Sequence, residues 1–323
     1  MGEAAAAPPQ EHDGIWRFRY DNDSVLFTDG NYTSGLHLKH VTRATERMDP
    51  KAFSARLLNW LSPLPGLGNP KDRHYASYSL GQLIFTPEDL EPRNPSPDAL
   101  PYTGVLFLDA GLYARAEDRL IAYHLLLGVT GDPSFGEESQ KTLHKALGLN
   151  RPRGWSHQSR DEPILNLGYE RHQRFHKGSL GSRLNWDAAY NLGAGLGNLF
   201  TGLNSGLRLR LGPELPDELG ATTLNTGFEA SSIPLHRPAH GGAWHGFLDL
   251  ETYLIGRYLP VDGTLFQEGR STAGEALVGS ASLGFSYSRG SIAVSLAYTA
   301  ISDTYEEQGE STQLGSLSVD FFP

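Results

Sequence analysis

Cysteine is absent from the 323 residues. That removes disulfides, thiolate metal sites and a cysteine nucleophile, and it suits a chain that crosses an oxidising compartment unpaired. Long apolar runs are absent too, since no stretch approaches the roughly 18–20 residues a membrane-spanning helix needs. This excludes a helical membrane protein but not a membrane barrel, whose strands are apolar only at every second position. Basic residues are the minority, 27 Lys and Arg against 37 Asp and Glu, and the net charge of −10 argues against a nucleic-acid partner. The opening MGEAAAAPPQEHDG has no basic segment followed by an apolar one. It reads as a mature or trimmed end carrying a start Met, without a signal peptide, and residues 1–13 read as a flexible lead.

What is present is glycine (37), tyrosine (14), phenylalanine (14) and tryptophan (5), a balance that suits strands and turns. In WRFRY (Trp16 to Tyr20), Trp16, Phe18 and Tyr20 share one face and Arg17 and Arg19 the other. GLHLK (Gly35 to Lys39), SRLNWDAAY (Ser182 to Tyr190) and LRLRL (Leu207 to Leu211) repeat the two-residue period. A soluble sandwich alternates as well, with one face in its core and one in water. Here the polar face carries Arg, Lys, Asp and His between large aromatics, the pattern of a barrel with lipid outside and a wet lumen inside.

Strands are expected near 14–22, 32–45, 73–86, 101–115, 118–130, 162–176, 179–193, 199–211, 243–259, 273–288, 291–303 and 311–322. The fold class is therefore all-β: a single-domain, twelve-stranded antiparallel transmembrane β-barrel over 14–323, with one short extracellular loop helix. Tight turns are expected at RAED (Arg115 to Asp118), HKGS (His176 to Ser179) and SRGS (Ser288 to Ser291). All three follow even-numbered strands, so they fall on one side, which short turns mark as periplasmic. The loop 131–161, the end of the first strand and the start of the second then share the opposite, exterior rim. The long 46–72 and 212–242 connections run against this pattern, and WLSPLP (Trp60 to Pro65) is expected to fold against the barrel end.

Loop 131–161 interrupts the strands with GDPSFGEESQKTLHK. Asp132 followed by Pro133 suits a helix start, Ser134 with Glu137 offers a capping box, and Gly148 a stop. A helix over 133–147 places Gln140 and His144 one turn apart on one face. On the helix pattern alone, a solvated loop helix whose His and Gln bond to neighbours is the better account of this pair. YDNDS (Tyr20 to Ser24) and DGNYTSG (Asp29 to Gly35) bring Asn and Asp oxygens, the hard ligands that Ca2+ prefers, to the same rim. They are also turn residues, and no EF-hand spacing is present. His37 and His124 read as structural lumen residues, and the His236–His240 pair as an ordinary loop.

Taken together, several landmarks occur in order along most of the chain. They are Asn22-Asp23, Asp29 with Tyr32-Thr33 and Gly35, GQLIFTPED (Gly81 to Asp89), Gln140 with His144, Gly154-Trp155 with Gln158, Asp161-Glu162-Pro163, and PVDG ending at Gly263. In these the sequence resembles the lipid A 3'-O-deacylase (LpxR) family of Gram-negative outer membranes. The resemblance implies a calcium-dependent esterase acting on the 3'-linked acyloxyacyl ester of lipopolysaccharide lipid A. Its active site would lie between the barrel wall and an outer-loop helix, in a monomer surrounded by outer-membrane lipid.

By the same resemblance, His144 is the catalytic base, with Gln140 and Thr33 beside it. Asn22 and Asp23 are placed at the metal, and Lys71 or Arg73 at the substrate. One departure stands out: the family's acidic residue shortly after the His has no counterpart in KALGLNRPR (Lys145 to Arg153), which leaves Asp161 and Glu162 as the nearest acids. The rivals are a non-catalytic outer-membrane pore or adhesin whose loop 131–161 caps the lumen, and a soluble ligand-binding barrel. A serine elbow, G-x-S-x-G, is absent, and Ser34 is a minor alternative nucleophile.

Overall fold

The computed structural model describes residues 14–23, 30–42, 63–69, 71–219 and 242–323. Asp29, His236, His240 and the lead 1–13 lie outside the described residues. Twelve antiparallel strands form one closed barrel: β1 (Ile15–Asn22), β2 (Asn31–Val41), β3 (Arg73–Thr86), β4 (Thr103–Arg115), β5 (Arg119–Thr130), β6 (Glu162–Leu180), β7 (Leu184–Gly197), β8 (Phe200–Gly212), β9 (Ala243–Tyr258), β10 (Leu277–Arg289), β11 (Ile292–Ile301) and β12 (Thr312–Phe321). Each strand pairs with its neighbours in sequence. β1 closes on β12, with Trp16 opposite Phe321 and Asn22 opposite Gly315.

The two-residue period decides which side chain looks where. Trp16 and Phe18 are exposed on the outer wall while Arg17 and Arg19 are buried in the lumen. Leu36, Leu38, Leu80, Leu108, Leu127, Leu167 and Leu209 continue an exposed apolar belt around the cylinder. Exposed leucine of this density is costly in water and favourable in lipid, which is the economy of a membrane barrel.

The lumen is filled. It carries a network of ion pairs: Arg17 to Asp320 at 2.5 Å, Arg210 to Asp187 at 2.5 Å and Arg174 to Asp187 at 3.1 Å towards the mouth where β1 begins, and His124 to Asp109 at 3.0 Å further in. Apolar side chains gather at each end. Tyr32, Phe85, Val105, Phe107, Phe200 and Tyr258 belong to one cluster, and Ile15, Tyr75, Tyr113, Leu120 and Phe322 to the other. His124 and His37 are accordingly structural, His124 against Asp109 and His37 edge-on to Phe107.

Two local expectations are corrected. β6 runs on through Leu180 and β7 begins at Leu184, so the turn lies at 181–183 rather than at His176 to Ser179. Gly181, at φ 64°, provides the left-handed residue the turn needs, and a bulge between Arg174 and His176 absorbs the extra residue within β6. The loop helix is also split. A 3-10 turn covers Asp132–Ser134, then Phe135 takes φ 57°, and α1 spans Gly136–Leu147. Neither start carries the expected side-chain cap, while Gly148 ends α1 in the left-handed conformation as expected. Of the WLSPLP segment, the described part folds against the barrel: Tyr123 donates its hydroxyl to the Pro65 carbonyl at 3.0 Å.

Candidate active site

Odd strands end and even strands begin at one rim, which therefore gathers Asn22, Asn31, Thr86, Thr103, Thr130 and Glu162. The loop carrying α1 rises from this rim. In β3 the exposed Tyr78 and Leu80 set the outward phase, so Gln82, Ile84 and Thr86 point outward; in β4 exposed Leu108 does the same for Gly104. Against these residues the loop docks. Gln82 donates its amide to the Ser134 carbonyl at 2.6 Å. A side chain on Gly104 would come within 3.1 Å of the Gly136 Cα, so glycine there lets the loop approach the wall backbone to backbone. The loop thus packs on the outer face of β3 and β4 and does not cap the lumen.

The buried face of α1 consists of Gly136, Gln140 and His144, at positions i, i+4 and i+8. Gln140 is 1% exposed and His144 2%. The indole N–H of Trp155, itself buried and tilted against Tyr102 at 5.1 Å, donates to Gln140 Oε1 at 2.6 Å. The Nδ1 of His144 lies 2.6 Å from the Asn150 carbonyl oxygen. Further bonds fix this loop: Ser159 N–H to the Tyr102 carbonyl at 2.8 Å, Thr103 Oγ1 to Ser159 Oγ at 2.6 Å, and Gln158 to the Asp132 carboxylate.

The neighbouring wall holds the other expected residues. Asn22 continues the outward phase of Trp16, Phe18 and Tyr20, and donates its amide to the Thr33 carbonyl at 3.0 Å. A bulge between Tyr32 and Ser34 in the pairing of β2 with β3 frees Thr33 from strict register, and its hydroxyl meets that of Thr86 at 2.7 Å. Asn22, Thr33 and Thr86 therefore form a continuous polar chain from β1 to β3, the strand on which the α1 loop docks. Asp23 is fully buried and accepts the Gly30 N–H at 2.7 Å.

The donors here are carboxylate, amide and hydroxyl oxygens, which suit a hard divalent cation such as Ca2+. Among the described residues no group of three or more His, Asp or Glu gathers around one point. A cation would accordingly rest on Asp23 with the neutral oxygens beside it.

Other expected residues stand apart from this rim. Arg73 begins β3, thirteen residue steps from Thr86, roughly 43 Å of strand. Lys71 precedes it, so both lie at the opposite mouth and the structure does not bring them to His144. Asp161 accepts the Asp132 N–H at 2.9 Å, bracing the 3-10 turn. Glu162 is buried and holds Asn198 at 2.7 Å and the Phe266 N–H at 2.8 Å. Its phase is that of inward Ile164, on the other side of the wall from α1. Shortly after the histidine, the Asn150 backbone carbonyl meets its ring.

Sequence reasoning missed Thr86 and the part played by Trp155. The pairing of Thr86 with Asn31 at the end of an outward phase could have found the first; nothing in the spacing points to the second. Elsewhere on this rim, the Tyr305 hydroxyl donates to Asn31 Oδ1 at 3.0 Å. Burial, then the negative charges of Glu88 and Asp303, push that phenol well above its ordinary pKa.

The family model described as outer membrane protein LpxR matches residues 1–322. Among solved structures, LpxR from Salmonella typhimurium shares the fold with a TM-score of 0.76 at 15% identity, covering 96% of this chain and 100% of that one. The β domain of the Bordetella autotransporter Brka gives 0.45 at 11% identity, over 97% and 100%. No curated protein matches the chain in sequence.

Proposed function

The chain belongs to the LpxR family of outer-membrane proteins, and on that footing we propose that it is a Ca2+-dependent lipid A deacylase acting at the outer leaflet. The reaction is hydrolysis of the 3'-linked acyloxyacyl ester. The observation that carries this reading is the docking of α1 on the outer wall: it sets a buried imidazole beside a lipid-facing surface, at the same rim as Asn22, Asp23 and Thr33.

His144 is the general base. A carbonyl oxygen only accepts, so the Nδ1 facing Asn150 carries the proton and the neutral ring keeps its lone pair on Nε2. Nε2 takes a proton from water as that water attacks the ester carbonyl, and returns it to the departing sugar oxygen. Asp23 with Asn22 would hold the cation, and Thr33, tied to Thr86, fixes the wall beside it. Ca2+, when bound, supplies positive charge against the oxygen that becomes anionic during attack.

Filled apolar clusters at both ends of the lumen and the outward position of the loop speak against a pore reading. The test is mass spectrometry of lipid A after incubation with the protein, with and without chelator. Loss of the 3'-linked acyloxyacyl mass in Ca2+ alone is expected. Unchanged lipid A in Ca2+ rejects the hydrolase, and loss that persists under chelator rejects the metal.

A further inference from the structure

Gln140 is a buried amide with two different ends. Trp155 occupies one of them: its indole nitrogen can only donate, so the atom 2.6 Å away must be the amide oxygen. This fixes the rotamer by chemistry, because a flipped amide would set N–H against N–H. The other end, Nε2, is buried and has no hydrogen-bond partner among the described residues. An unsatisfied buried N–H is costly, and few are left without a purpose. Trp155 cannot easily yield, packed as it is beneath Gly136 and against Tyr102. Gln140 shares its helix face with His144, one turn away.

We propose that Gln140 Nε2 is a hydrogen-bond donor to the carbonyl oxygen of the scissile ester, and that Trp155 is the positioning residue that aims it. The inference rests on the deacylase reading and assigns to Gln140 a share of the oxyanion charge. An amide donor already turned toward that oxygen does not reorganise during the reaction, the condition under which such donors are most effective. Water enters, the carbonyl oxygen gains negative charge, and the N–H pairs with it until the ester C–O bond breaks and the carbonyl re-forms.

The discriminating variant is Gln140→Glu, which keeps an oxygen for the Trp155 N–H and replaces the donor by an acceptor. Its kcat should fall on the order of 10²–10³-fold, as for loss of one oxyanion donor, with KM nearly unchanged. Trp155→Phe keeps the ring and releases the amide; its kcat should fall on the order of tenfold, the scale of one lost orienting hydrogen bond. A binding readout separates this role from a structural one. In a His144→Ala background, a lipid phosphonate that mimics the tetrahedral oxyanion should bind more weakly after Gln140→Glu, while the intact ester binds as before.

Wild-type kcat in Gln140→Glu, or equal phosphonate affinity, overturns the donor role and leaves the deacylase standing. A wild-type protein that neither binds nor cleaves the ester overturns both.

Discussion

His144 Nδ1 sits 2.6 Å from a backbone carbonyl, that of Asn150. A peptide oxygen at this distance orients the ring and selects its tautomer. Two outcomes follow for lipid A hydrolysis rates. His144→Ala should lose on the order of 10²–10⁴-fold, the usual worth of a positioned base. Asn150→Ala should stay near wild type, because the side chain is not the partner. A large loss in Asn150→Ala would show that the side chain matters.

Chelation should abolish hydrolysis, and added Ca2+ should restore it. Asp23→Asn keeps the shape and removes the buried carboxylate proposed to hold the cation. It should raise the Ca2+ concentration needed for half-maximal activity by tenfold or more, about 1.4 kcal/mol or above. An unchanged Ca2+ titration would move the metal elsewhere.

Gly104 faces Ser134 and Gly136 across the seam between wall and loop. Gly104→Val would push the loop outward while leaving the strand ladder intact. Activity should fall sharply, and the folded barrel's shifted mobility on unheated gels should persist. Unchanged activity would mean that the loop's seat on β3 and β4 is immaterial.

Arg17 and Asp320 join the first and last strands across the closing seam, both buried. Arg17→Ala leaves a buried carboxylate short of its main partner, which typically costs about 3–5 kcal/mol. Urea unfolding in lipid vesicles should show this loss. Arg17→Met with Asp320→Leu should recover only the part due to Asp320, because the buried Glu218, 3.4 Å from Arg17, keeps its charge and loses that partner.

At the opposite mouth, burial alone would raise the Asp118 carboxyl, yet the Lys177 hydrogen bond and charge, with Arg174 and Arg115, hold it below its ordinary value of 3.8. A carboxyl depressed on folding stabilises above the unfolded pKa and loses that support as pH falls through the folded one. Below about pH 4 the melting temperature of the native protein should therefore fall more steeply than that of Asp118→Asn. Parallel curves would count against the pair.

Much of the architecture was legible because membrane strands alternate strictly. β3 was expected at 73–86 and runs from Arg73 to Thr86. The β6–β7 turn was misplaced because Gly178 and Gly181 both offer turn chemistry, and the bulge that chooses between them leaves no local trace. The break at Phe135 was equally hidden, since aromatic residues seldom adopt positive φ. Lys71 and Arg73 were sought at the wrong mouth, although strand direction alone puts the start of β3 away from α1. The Trp155–Gln140 bond joins a helix to a loop fifteen residues on, a contact that no periodicity encodes.

A barrel packed solid with ion pairs and aromatic rings cannot conduct what it acts upon. On the proposed reading its workplace would be the outside of its own hull, reached by molecules already drifting in the sheet of lipid around it. Encounter would then be a two-dimensional search, governed by how crowded and fluid that sheet is, and both the trimmed saccharide and the freed tail would be delivered back into the same leaflet.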